Sequence, residues 1–158
     1  QKFNTFVASF EVPEQLYVKL RIQITALSFK FCYLSFDDLL LLSDGIKFNK
    51  TMVKLDLSSN ALKSCMVKFF FESLLDNYCL AHLDLSSNFL DNEFAVDLAI
   101  FLTELSPAQV DISNNPIEPE GATYLLKSLL EFNDTLESLG NITDTNMLMG
   151  VRVREEIR

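Results

Sequence analysis

The chain has 158 residues, of which 49% are apolar, with 14 Phe and no Trp; this suffices for one domain with a continuous core. Its formal net charge of −9 argues against a nucleic-acid partner, because phosphate affinity comes from clustered Lys and Arg. No run approaches the ~20 apolar residues of a membrane span, so membrane insertion is not expected.

Gln1–Phe10 lacks the charged-then-apolar plan of a signal peptide. No Met opens the chain, and a charged stretch, Val151–Arg158, ends it, so it reads as a fragment of a longer protein. The first unit with internal pattern is Tyr17-x-x-Leu20-x-Ile22-x-x-Thr25-x-Leu27. It stands 35 residues before the next such unit, which implies an insertion or a register error. The place for it is Phe29–Phe48, where Ser35 is expected to cap a helix through Leu42 and Gly45 to end it.

Three clear units follow. They read Met52-x-x-Leu55-x-Leu57-x-x-Asn60-x-Leu62, then Leu80-x-x-Leu83-x-Leu85-x-x-Asn88-x-Leu90, then Pro107-x-x-Val110-x-Ile112-x-x-Asn115-x-Ile117. The asparagines are 28 and 27 residues apart. A fixed period of this length means one supersecondary unit stacked on copies of itself. The central alternation predicts a short strand with one face buried. After each asparagine the period changes. Met66, Val67, Phe70 and Leu74 share offsets with Phe94, Ala95, Leu98 and Leu102, and with Gly121, Ala122, Leu125 and Leu129. Steps of three and four mark one face of an α-helix. A last unit begins at Leu136-x-x-Leu139, but Asn141 takes its second core position.

These units resemble leucine-rich repeats, L-x-x-L-x-L-x-x-N-x-L. The long repeat with a full helix is similar to the ribonuclease-inhibitor-like subclass, as are Asn115–Ala122 and the returns Asn49-Lys-Thr-Met52 and Asn133-Asp-Thr-Leu136. Gly140 and Gly150-Val-Arg152-Val-Arg154 faintly resemble the closing repeat of tropomodulin-like proteins. The resemblance implies an α/β leucine-rich repeat solenoid of about 4–5 repeats, a horseshoe arc with parallel strands on its concave face and α-helices on its convex face. One domain would span residues 1–158, with clear repeats at 52–79, 80–106 and 107–135 and degenerate units at about 17–51 and 136–158.

The odd number of cysteines, Cys32, Cys65 and Cys79, fits free thiols in a reducing compartment. Three N-glycosylation sequons, at Asn49, Asn133 and Asn141, point the other way. Asn49 and Asn133 share one place in the repeat, just before a strand, and so read as turn chemistry. An intracellular location, cytoplasmic or cytoskeletal, is expected over secretion.

Asn60, Asn88 and Asn115 are expected to form a structural ladder, each amide turning inward to satisfy loop backbone groups. Asp56, Asp84 and Asp111 lie between the core residues of each strand and point to the concave face. With Lys54, Ser58, His82, Ser86, Gln109 and Ser113 they form the candidate partner-binding surface. If the early unit is real, Val18, Lys19, Arg21 and Gln23 would add a basic edge. His82 beside Asp84 is not a catalytic constellation without a placed nucleophile, so no enzyme activity, cofactor or metal is expected. Phe70 is a core position on the first clear helix; of Phe69 and Phe71, one is expected beneath the neighbouring helix and the other exposed. Arg152, Arg154 and Arg158, near Glu155 and Glu156, are a solvated helix face or a cap over the last repeat.

Strand ladders leave wide, rigid surfaces that suit protein partners. The expected function is a non-catalytic protein-interaction scaffold, binding on the concave face or serving as a subunit of a larger cytoskeletal or axonemal assembly. The resemblance also admits a regulator of an enzyme, a GTPase-activating or inhibitor-type repeat protein, with Asn92, Asn114 and the loop carrying Glu118 as its polar edge.

Overall fold

The computed structural model describes residues 24–75, 77–105 and 107–140. Four three-residue strands, β1 (Ala26–Ser28), β2 (Lys54–Asp56), β3 (His82–Asp84) and β4 (Gln109–Asp111), alternate with four helices, α1 (Phe36–Lys47), α2 (Ser64–Leu74), α3 (Asn92–Glu104) and α4 (Pro119–Phe132). The strands pair in parallel in the order β1-β2-β3-β4. Each crossover carries a helix, the usual way of joining parallel neighbours. The fold is a leucine-rich repeat solenoid with strands on one face and helices on the other.

The core follows the two periods. Leu55, Leu57, Leu83, Leu85, Val110 and Ile112 enter it from the strand side. Val67, Phe70, Leu74, Phe94, Ala95, Leu98, Leu102, Ala122, Leu125 and Leu129 enter it from the helices. Phe71 joins them, stacked on Phe101 with ring centroids 4.3 Å apart and tilted against Phe94 at 5.6 Å. Phe69 is 51% exposed and meets only the edge of Phe36 among described aromatic rings.

The first unit differs from the expected one. Leu27 pairs with Leu55, one full 28-residue step apart. The unit therefore reads Ile24-x-x-Leu27-x-Phe29-x-x-Cys32-x-Leu34, seven residues later than the Tyr17 register, and no insertion is needed. Leu27 and Phe29 fill the core, and Cys32 stands where the other units have asparagine. Tyr17–Gln23, with the proposed basic edge, lies outside the described residues. Helix α1 also differs. Ser35 caps it with a reciprocal capping box to Asp38, but the helix runs past Gly45 to Lys47. Ile46 is fully buried and completes the face begun by Leu39 and Leu42, so stopping at Gly45 would strand it.

Two asparagine ladders hold the edges of the sheet. On the edge after the strands, Asn60 Oδ1 accepts from the Cys32 and Leu34 amides, and its Nδ2 donates to the Phe29 and Leu57 carbonyls at 2.9 Å. Asn88 repeats this on Asn60 and Leu62, and Asn115 on Leu90. On the opposite edge, where helices return to strands, Asn49, Asn77 and Asn133 donate to the carbonyls of Ile24, Asn49 and Leu102 in the preceding repeat. Asn77 sits in Asn77-Tyr-Cys-Leu80, which lacks the threonine of the other two returns, and the sequence reading missed it.

Beyond β4 the pairing continues. The Val110 amide donates to the Ser138 carbonyl at 2.9 Å and the Ile112 amide to that of Leu139 at 3.2 Å. Leu136 and Leu139 are buried. The remainder of this unit, from Asn141 through the terminal arginines, lies outside the described residues.

Candidate binding face

Within each strand the central residue points into the core and its two neighbours point outward. The parallel register then builds two outward rows. One is Ala26, Lys54, His82 and Gln109; the other is Ser28, Asp56, Asp84 and Asp111. Neighbouring strands lie ~4.8 Å apart, so the three carboxylates form a continuous acidic row. They line an open groove of about 310 Å³ together with Lys54, His82, Gln109, Ser138 and Gly140.

The carboxylates are oriented by serines rather than by cations. Asp56 Oδ1 accepts from the Ser58 hydroxyl at 2.7 Å and from its amide at 3.0 Å, and Oδ2 accepts from the Ser28 hydroxyl at 2.9 Å. Asp84 accepts from the Ser86 amide at 2.9 Å. Asp111 accepts from both the amide and the hydroxyl of Ser113. Among the described residues none of the three forms an ion pair; the one described salt bridge, Lys68 to Asp97 at 3.5 Å, is on the helix side. Gly140 closes the C-terminal end of the row with φ +85, and a β-carbon there would collide with the Asp111 carboxylate. Glycine is needed for both reasons.

Most of the candidate residues share this face. Lys54 and Gln109 are exposed, and His82, Asp56, Asp84, Asp111, Ser86 and Ser113 are half-buried. Ser58 is the exception. It is buried, with its hydroxyl committed to Asp56, so it holds the row in place instead of meeting a partner. The same left-handed turn follows β2, β3 and β4, at Ser59, Ser87 and Asn114, so the turn by itself does not separate Ser58 from the half-buried Ser86 and Ser113.

His82 Nδ1 faces Gln109 Oε1 at 2.9 Å, not the Asp84 carboxylate. Among the described residues no group of three or more His, Cys, Asp or Glu is placed to hold a metal ion. The polar edge considered for a GTPase activator is engaged within the fold. Asn92 Nδ2 donates to Glu118 Oε2 at 3.1 Å, and the Glu118 amide donates to Asn92 Oδ1 at 2.9 Å. Cys32, at the ladder position of the first unit, packs partly buried against the core. Burial, and secondly the Asp56 carboxylate, push its thiol above the ordinary range.

Comparison with known proteins agrees with this architecture. The "Leucine Rich repeat" family profile matches residues 109–126. No curated protein sequence matches the chain. A solved structure described as "Leiomodin-1 Actin-Binding Site 2 (ABS2)" is similar over 90% of this chain and 87% of its own, with TM-score 0.75 and 14% identity. The tropomodulin C-terminal domain of Caenorhabditis elegans is similar over 90% of this chain and 89% of its own, with TM-score 0.71 and 18% identity.

Proposed function

We propose that this leucine-rich repeat protein is a non-catalytic protein-binding scaffold whose partner lies across the strand face. The observation that carries the reading is the row Asp56, Asp84 and Asp111. It consists of three carboxylates in register on an open groove, oriented by serine hydrogen bonds and without a cationic side chain paired to them among the described residues. Such a row is arranged before any partner arrives. It favours a partner with a complementary basic ridge.

Actin is the first protein to test, because one structural neighbour is described as an actin-binding site. This reading places the chain inside the cell, on cytoskeletal or similar assemblies, as one solenoid domain. Its repeats are of the ribonuclease-inhibitor-like kind, supported by the four-turn helix α4 opened by Pro119 at its first turn.

The test is capture from a native extract, with wild type beside a chain carrying Asp56→Lys, Asp84→Lys and Asp111→Lys. Partners that bind wild type are expected to be lost from the triple variant while its thermal unfolding stays cooperative. An unchanged set of partners would sink the strand-face reading. Titration with monomeric actin tests the finer assignment: no binding of wild type would remove actin while leaving the face open to other proteins.

A further inference from the structure

We infer that attachment of an N-glycan at Asn49 and formation of this fold exclude one another. Asn49-Lys-Thr51 has the acceptor pattern. Yet Asn49 is only 1% exposed. Its Nδ2, the atom that would carry the sugar, donates to the Ile24 carbonyl at 3.1 Å. Its Oδ1 accepts from the Thr51 and Met52 amides, both at 2.7 Å. Its own carbonyl accepts from Asn77 Nδ2 at 3.0 Å, so the next repeat closes over it.

A glycan is bulky and strongly hydrated, and it must reach water. From a buried Nδ2 it has no path that leaves these hydrogen bonds intact. Asn133 has the same pattern, donating to the Leu102 carbonyl at 2.7 Å and accepting from the Leu136 amide at 2.8 Å, but it is only half-buried. The exclusion is therefore strongest at Asn49. N-glycans are added to unfolded chains, so the choice between modification and folding is made before the ladder forms.

The experiment directs the chain into the secretory pathway of cultured cells, with the other two sequons removed by Thr135→Ala and Thr143→Ala. A second chain adds Leu55→Asp and Leu83→Asp, which place charges in the core and prevent folding. Occupancy of Asn49 is read by mass spectrometry in the protease-resistant fraction of the first chain and in the whole of the second. The expected result is a modified Asn49 in the non-folding chain and no detectable glycan at Asn49 in resistant material. A glycan on Asn49 in the resistant fraction would overturn the inference. So would an unmodified Asn49 in the non-folding chain, because the fold would then not be what excludes the sugar.

Discussion

Asn77 donates its side-chain amide to the carbonyl of Asn49 at 3.0 Å, one 28-residue step back along the chain, and both residues are buried. The contact belongs to a second asparagine ladder on the edge opposite Asn60, Asn88 and Asn115. Each ladder supplies partners for loop groups that the short strands leave unpaired.

Removing one rung strands those groups. Asn77→Ala and Asn88→Ala are each expected to destabilise the fold by about 1–3 kcal/mol, the usual cost of leaving buried polar groups unsatisfied. Asn115→Ala is expected to cost less, because Asn115 is half-buried and its Oδ1 serves one described amide where that of Asn88 serves two. Urea unfolding at constant m-value measures all three. Equal stability of Asn77→Ala and wild type would remove the second ladder as a stabilising element.

Gly121→Ala sets two effects against each other. Alanine favours a helix by about 1 kcal/mol over glycine. Here its β-carbon would lie 2.5 Å from Asn92 Oδ1, and overpacking of this kind costs about 1–3 kcal/mol. Net destabilisation is expected. In an Asn92→Ala background the side-chain obstacle is gone and the residue-92 Cα at 3.1 Å remains, so the same substitution is expected to cost less. A double-mutant cycle on unfolding free energies reads the coupling, and additive effects would contradict the contact.

The phenylalanine run divides by direction. Phe71→Ala removes a ring packed on Phe94 and Phe101 and is expected to cost about 3–5 kcal/mol. Phe69→Ala removes an exposed ring with one edge contact and is expected to cost about 1 kcal/mol at most. Thermal unfolding of the two variants should separate them clearly. Reversal of their order would mean that the helix α2 register is wrong.

Cys32 carries the pH-dependent expectation. Burial first, and Asp56 second, raise its thiol above the ordinary range. It should therefore alkylate more slowly with iodoacetamide at neutral pH than a cysteine in a short unstructured peptide, because the thiolate is the reacting form. For linkage, a raised thiol means that the folded state holds its proton more tightly. That contribution to stability is present below the unfolded thiol's range and is lost as pH rises through the folded one. Alkylation of Cys32 at the peptide rate would contradict the burial described.

Much of this fold was legible because two chemistries repeat at one spacing. Leu55, Leu83 and Val110 announce the strands, and Val67, Ala95 and Ala122 announce the helices. The first unit escaped because Cys32 replaces the ladder asparagine and Phe29 the second leucine, while Thr25 offered a plausible polar residue seven positions too early. Asn77 escaped because Tyr78 and Cys79 replace the residues that mark the other returns. The acidic row could be read from strand alternation alone. The burial of Ser58 could not, since Ser86 and Ser113 hold the same place in the repeat and are half-buried. Nor could the need for Gly121, since Asn92 reaches it from 29 residues away.

The strand face as binding surface is tested most directly by the affinity of a captured partner for wild type and for a chain with Asp56→Asn, Asp84→Asn and Asp111→Asn. These substitutions keep size while removing charge. A loss of affinity of at least roughly ten-fold, ~1.4 kcal/mol, is expected, and it shrinks as salt screens the wild-type charges. Unchanged affinity at low salt, in a variant that unfolds like wild type, would contradict the strand face as the binding surface.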